Sequence, residues 1–236
     1  MKHVIKVNGA IVSNDDKWIY DLFEMEYTSP SCIDKAIEEA NGNDIIVQIN
    51  SGGGSVFAGS EIYTKLKKID VDVEIIGLAG SAASFIAMAG KKVSISPTAQ
   101  IMIHNASTRS QGDKRDMADT SEFLNTIDSS IAYAYQLKTG LGEEELSKMM
   151  DKETWLNAND SVRLGFADEI MFADEYEAVA STSVMLPKHV INKVRNIMKP
   201  NNIDKRLKAI EEKLNIVDSD DNKQSENGPI GNDWLF

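Results

Sequence analysis

Cysteine is nearly absent: Cys32 stands alone among 236 residues, so no intrachain disulfide can form. Long apolar runs are also missing. A membrane span needs about 18 or more uninterrupted apolar residues, and the best candidate, residues 75–89, is broken by Gly77, Gly80, Ser81 and Ser84. The opening Met1-Lys2-His3-Val4-Ile5-Lys6 has neither the apolar core nor the small-residue cleavage site of a signal peptide. Together these absences set the expectation of a cytoplasmic protein with no membrane partner. Positive charge is scarce as well: the formal net charge is −12, which argues against nucleic acid as a partner, because phosphate binding needs a basic footprint. The acidic end from Asp218 contributes −4 of that charge and leaves −8 on the rest. Histidine is rare too, with only His3, His104 and His189 available as neutral-pH proton carriers.

What is present is a hydrophobic content of 42%, enough to exclude wholesale disorder. Residues 3–12 read as a strand, a glycine turn and a second short strand. A helix should run from Pro30 to Ala40, capped by Ser31 and stopped at Asn41-Gly42-Asn43. Residues 44–50 form a β-branched run typical of a strand covered on both faces. Ser51-Gly52-Gly53-Gly54-Ser55 then reads as a turn into a helix bearing Val56, Tyr63 and Leu66. Further strands are expected at 71–77, 92–95 and 100–103, with a short apolar helix at 81–90 between the first two. Residues 113–138 are a long amphipathic helix, with Met117, Leu124 and Ile131 spaced by seven, and so are Thr120, Ile127 and Ala134. Helices at 143–150 and 159–164 and a strand at 168–172 complete an α/β domain with crossover connections.

Composition changes after Asp174, and the domain edge is placed near residue 180. Residues 187–200 are locally basic, and Ile203, Leu207, Ile210, Leu214 and Val217 form a two-heptad stripe. The polar end from Asp218 reads as disordered, with Trp234-Leu235-Phe236 as an apolar tip. The expected organisation is therefore a folded domain over 1–180 and an extension of short helices and acidic tail over 181–236.

Three segments carry candidate chemistry. Gly77-Leu78-Ala79-Gly80-Ser81-Ala82-Ala83-Ser84 lies where a strand gives way to a helix. A serine there can present its hydroxyl, and the free N–H groups of the helix start can bind an oxyanion. The glycine spacing is not that of the usual nucleophile elbow, and small residues at such a place also serve tight helix packing. His104, ending the apolar run Gln100-Ile101-Met102-Ile103, suits a proton shuttle or a structural histidine. Asn50-Ser51-Gly52-Gly53-Gly54 lacks a P-loop lysine and a dinucleotide fingerprint, but its N–H groups suit an oxyanion hole.

Taken jointly, these segments resemble the Clp protease proteolytic subunit (ClpP) family, and within it the divergent members found in phages and prophages. The matching stretches are residues 49–59, 77–90 and Met102-Ile103-His104-Asn105. Glu153-Thr154-Trp155-Leu156-Asn157-Ala158 and Gly165-Phe166-Ala167-Asp168 follow in order. The resemblance covers residues 3–173 and implies a ClpP/crotonase-like fold of repeated β-β-α units. It makes Ser81 the nucleophile rather than Ser84, His104 the base, and Gly53 and Ala82 the oxyanion donors. Glu153 stands where the family usually has aspartate, with Asp151 as the competing carboxylate. Gly52 replaces the usual proline of the glycine segment.

The resemblance also implies a serine endopeptidase needing no metal or cofactor, and a homo-oligomeric ring or double ring enclosing a chamber. The helix from residue 113 would join two rings, or else serve ordinary domain packing. Partners implied are a protein or peptide substrate and either an AAA+ unfoldase or phage capsid proteins. Two other classes stay open: a crotonase-like acyl-CoA enzyme, which does not need Ser81 and His104 as a pair, and an inactive ring used as a scaffold.

Overall fold

The computed structural model describes residues 2–173. The expected domain edge near 180, the basic segment, the heptad stripe and the acidic tail all lie outside those residues. Among the described residues, no helix is long and apolar enough to cross a membrane.

The first half of the chain alternates strands and helices. It runs β1 (His3–Ile11), α1 (Lys17–Leu22), β2 (Tyr27–Thr28), α2 (Pro30–Ala40), β3 (Ile45–Gly54), α3 (Val56–Lys67), β4 (Asp72–Gly80) and α4 (Ala82–Ala87). The second half contains β5 (Lys92–Ile95), β6 (Gln100–Ile103), α5 (Lys114–Thr139), α6 (Glu143–Asp151), β7 (Thr154–Asn157), α7 (Ala158–Arg163) and β8 (Glu169–Ile170). The main sheet runs β2-β1-β3-β4-β5-β8, all parallel. This is the mixed α/β, mostly parallel architecture expected from the sequence.

One edge of β4 is shared by two strands in succession. Asp72–Ile75 pair with β5, and Leu78–Gly80 pair with β6. β6 in turn holds β7 antiparallel on its far side. This fork carries the chain end of β6 to the mouth of the β4–α4 turn.

Burial in the sheet alternates. Val7, Val47, Ile49, Val73, Ile75, Val93 and Ile95 are fully buried, each worth about 1.5–3 kcal/mol relative to exposure. The opposite face carries Lys6, Gln48, Glu74 and Ser94, with Gln48 Nε2 donating to Glu74 at 2.9 Å. β3 is therefore covered on one face, not on both as its β-branched run suggests. α2 packs on β1, α4 packs on β3 and β4, and α3 contacts α2 and α4.

Several local expectations are corrected. Residues 3–11 form one strand rather than two, because Gly9 (φ 64) supplies a bulge between Asn8 and Ala10 instead of a turn. The glycine segment is likewise strand: β3 continues through Gly54, pairing Gly53 with Ala10 and Ser51 with Ala79. The N-cap of α2 is Ser29, not Ser31. The expected strand at 168–172 is reduced to Glu169–Ile170.

The long helix matches its expected limits, opening on a capping box between Asp113 and Asp116. Its buried residues are Ile131, Ala132 and Tyr135, so nothing is buried from Lys114 to Ser130.

Candidate active site

Ser81 sits between the last residue of β4 and the first of α4, at φ 51 and ψ −121. That region is costly for a residue with a Cβ, of order 1–3 kcal/mol, and persists only where the surroundings impose it. Here they do. The Ser81 N–H donates to the Met102 carbonyl of β6 at 2.9 Å, extending the β4–β6 ladder by one step. The turn projects the Ser81 side chain toward the end of β6, where His104 follows two residues after Met102. Ser81 Oγ lies 2.7 Å from His104 Nε2. With Nε2 unprotonated, the hydroxyl donates to it, which is the arrangement a nucleophile and its base require.

Ser84, the other serine of the motif, is fully buried and engaged. Its Oγ donates to the Ser81 carbonyl at 2.5 Å and lies 2.6 Å from the Tyr135 hydroxyl. It has no open side from which to attack a substrate.

Gly53 lies directly against Ser81. A Cβ built there would come within 2.6 Å of the Gly80 carbonyl, 2.7 Å of Ser81 Cβ and 2.8 Å of the Ala82 nitrogen, and its φ of 94 favours glycine independently. The two expected oxyanion donors are thus side by side, but in different states. Ala82 N–H, at the start of α4, makes no hydrogen bond among the described residues. Gly53 N–H donates to Ser51 Oγ at 3.1 Å, and Ser51 spends its own proton on the Gly9 carbonyl at 2.6 Å.

The carboxylates are placed by the β6–β7 ladder. Ile103–Thr154 is the last pair of that ladder, so His104 and Glu153 flank the same end of it. Glu153 itself is left-handed (φ 50), and its Oε1 accepts from Trp155 Nε1 at 3.3 Å. Asp151 Oδ1 accepts from Asn105 Nδ2 at 2.8 Å. Neither carboxylate hydrogen-bonds His104 in this arrangement.

Sequence reasoning passed over three contacts. Asp128 of α5 accepts from the Ala106 N–H at 2.7 Å, fixing the chain two residues beyond His104. Tyr135 reaches Ser84, and burial pushes its hydroxyl pKa well up. Trp155 holds Glu153. Tyr135 and Asp128 are seven apart on one helix face, a periodicity that also reads as ordinary packing.

Comparison with known proteins matches residues 35–174 to the Clp protease family model. The ATP-dependent Clp protease proteolytic subunit of Oltmannsiellopsis viridis is 31% identical over 137 residues, covering 56% of this chain and 70% of that protein. The subunit of the same name from Bacteroides fragilis is 31% identical over 134 residues, covering 55% of this chain and 65% of the relative. The ATP-dependent Clp protease proteolytic subunit 1 of Chlamydia muridarum is 32% identical over 162 residues, covering 66% of this chain and 78% of the relative. The family match spans more than half of the sequence and contains Gly53, Ser81, Ala82, His104 and Glu153. The chain belongs to the Clp protease family of serine peptidases.

Proposed function

We propose that this chain is a serine endopeptidase that cleaves proteins or peptides by acyl transfer within an oligomeric chamber, with Ser81 as nucleophile. The observation that carries the reading is the 2.7 Å contact between Ser81 Oγ and His104 Nε2, on a strand-to-helix turn held in a strained conformation. Ser81 Oγ attacks the peptide carbonyl carbon while His104 Nε2 takes its proton. The developing oxyanion is met by Ala82 N–H and by Gly53 N–H, the latter exchanging Ser51 Oγ for the substrate oxygen. His104 then protonates the leaving amine, and water attacks the acyl-enzyme by the same path in reverse. Glu153 turns from Trp155 toward Nδ1 to hold the imidazole and stabilise the imidazolium.

The substrate class within the family follows two lines of support. The relatives' names point to an ATP-driven partner that feeds the chamber. The resemblance of the sequence motifs to phage and prophage members points to maturation of capsid or scaffold proteins.

Fluorophosphonate labelling of the purified protein tests the reading. Ser81→Ala should abolish labelling and lower peptide turnover by roughly 10⁶-fold, while Ser84→Ala keeps Ser81 labelled. A crotonase-like enzyme or an inactive scaffold predicts no serine labelling at all. Labelling that survives Ser81→Ala would remove Ser81 from the mechanism.

A further inference from the structure

Ser81 must keep a backbone conformation that the chain alone disfavours, and besides its N–H its own carbonyl is held. Two donors converge on this oxygen, both from Ser84: the backbone N–H at 2.9 Å and the side-chain Oγ. A serine hydroxyl has one proton. Since Ser84 spends it on the Ser81 carbonyl, the 2.6 Å contact with Tyr135 has only one polarity, Tyr135 O–H donating to Ser84 Oγ. The relay runs one way, from helix α5 through Ser84 to the nucleophile's carbonyl. Each hydroxyl polarises the next in a site closed to water, because Ser84 and Tyr135 are both buried. Burial also raises the Tyr135 pKa, so its proton stays in place across the working pH range.

The source of the relay is itself fixed. The Tyr135 ring packs on Phe166 with centroids 5.6 Å apart, and Lys138, one turn on, pairs with Asp168 at 2.6 Å. Seven residues earlier on the same helix, Asp128 holds the Ala106 N–H just beyond His104. α5 is thus bonded to both arms of the pair, on the nucleophile side through Tyr135 and on the base side through Asp128.

We propose that Tyr135 is a positioning residue for Ser81, acting through the Ser84 hydroxyl to keep Oγ aligned with His104. The proposal rests on Ser81 being the nucleophile. It predicts that Tyr135→Phe, which keeps the ring and removes only the donor, lowers the rate of fluorophosphonate acylation and the peptide kcat about tenfold, with KM unchanged. Tenfold corresponds to about 1.4 kcal/mol of transition-state stabilisation.

The closing experiment is a double-mutant cycle on the full chain, with acylation rates measured for Tyr135→Phe, Ser84→Ala and the pair. Both single variants should be slow, and the pair should be no slower than Ser84→Ala, because the relay is already cut. Wild-type rates in Tyr135→Phe, or losses that multiply in the pair, would overturn the proposal, since a tyrosine that merely fills the core has no reason to act through Ser84. Should Tyr135→Phe lose its fold, the comparison of Ser84→Ala with the wild type decides alone: an unchanged rate there overturns the relay. Ser81→Ala run alongside separates the two ideas: label retained in that variant defeats the nucleophile assignment and the proposal with it, whereas label lost there with wild-type rates in Tyr135→Phe defeats the proposal alone.

Discussion

At the scale of single residues, backbone register rather than side-chain chemistry is what favours Glu153 as the proposed third member of the catalytic group. Glu153 adjoins the Thr154–Ile103 pair at the same end of the ladder as His104, while Asp151 lies at the end of α6 and is committed to Asn105. Glutamate is one methylene longer than aspartate, and a left-handed turn at φ 50 sets its backbone at the ladder's edge. Either acid can hold a tautomer and stabilise an imidazolium. Glu153→Gln is therefore expected to cut the acylation rate sharply, and Asp151→Asn much less, when both are measured on variants that assemble equally. The reverse ranking would transfer the role to Asp151, and near-normal rates in both would leave His104 working without a carboxylate.

At the scale of elements, α5 is a helix of two halves. Its first half has no buried residue and relies on its cap, where Asp113 accepts from Arg115 N–H at 2.7 Å and Asp116 Oδ2 accepts from Asp113 N–H at 2.7 Å. Its last three turns hold Ile131, Tyr135 and the Lys138–Asp168 pair. Asp113→Ala should cost about 1 kcal/mol at the cap. The effect should appear as faster amide exchange confined to the first turns, with acylation by fluorophosphonate unchanged because Asp128 and Tyr135 lie beyond them. Exchange that accelerates along the whole helix would show that the halves are not independent.

The sequence was most legible where burial and periodicity coincide. β5, β6 and the limits of α5 match expectation closely, and Ser81 and His104 meet because the strands carrying them are neighbours. It was least legible where tertiary contacts override local pattern. α1 buries none of its residues, and Trp18, Leu22 and Phe23 near it are exposed, so no apolar stripe facing a core marks it. Gly52, Gly53 and Gly54 read as a turn, yet they continue β3 because the strand there must pass close beneath Ser81 and Ile11. Ser84 resembles a packing residue until Tyr135, 51 residues away, supplies its partner.

At the scale of the whole molecule, the described domain leaves a large apolar surface in solvent. Phe57 of α3 and Met117, Phe123, Tyr133 and Leu137 of α5 are all exposed, and the Phe57 and Phe123 rings lie 6.4 Å apart beside the groove between the two helices. Contiguous patches of this kind mark association surfaces. The protein is expected to be active only as an assembly, with a mass by light scattering that is a multiple of 26.0 kDa. Phe123→Glu should lower that mass and the peptidase activity together. A monomer with full activity would defeat the expectation.

The fork in the β4 edge also sets an order in time. Ser81 and His104 adjoin β4 and β6, with only α4 and β5 between them, lie 23 residues apart, and close a short loop when β6 docks. β7 must wait for α5 and α6 to be made, and it reaches the sheet only through β6. Closing the longer loop costs more chain entropy and requires more of the chain to exist. A chain emerging from synthesis is thus expected to bring Ser81 and His104 together before the edge that bears Glu153 is in place. Glu153, the farthest along the chain, is then the last of the three to arrive.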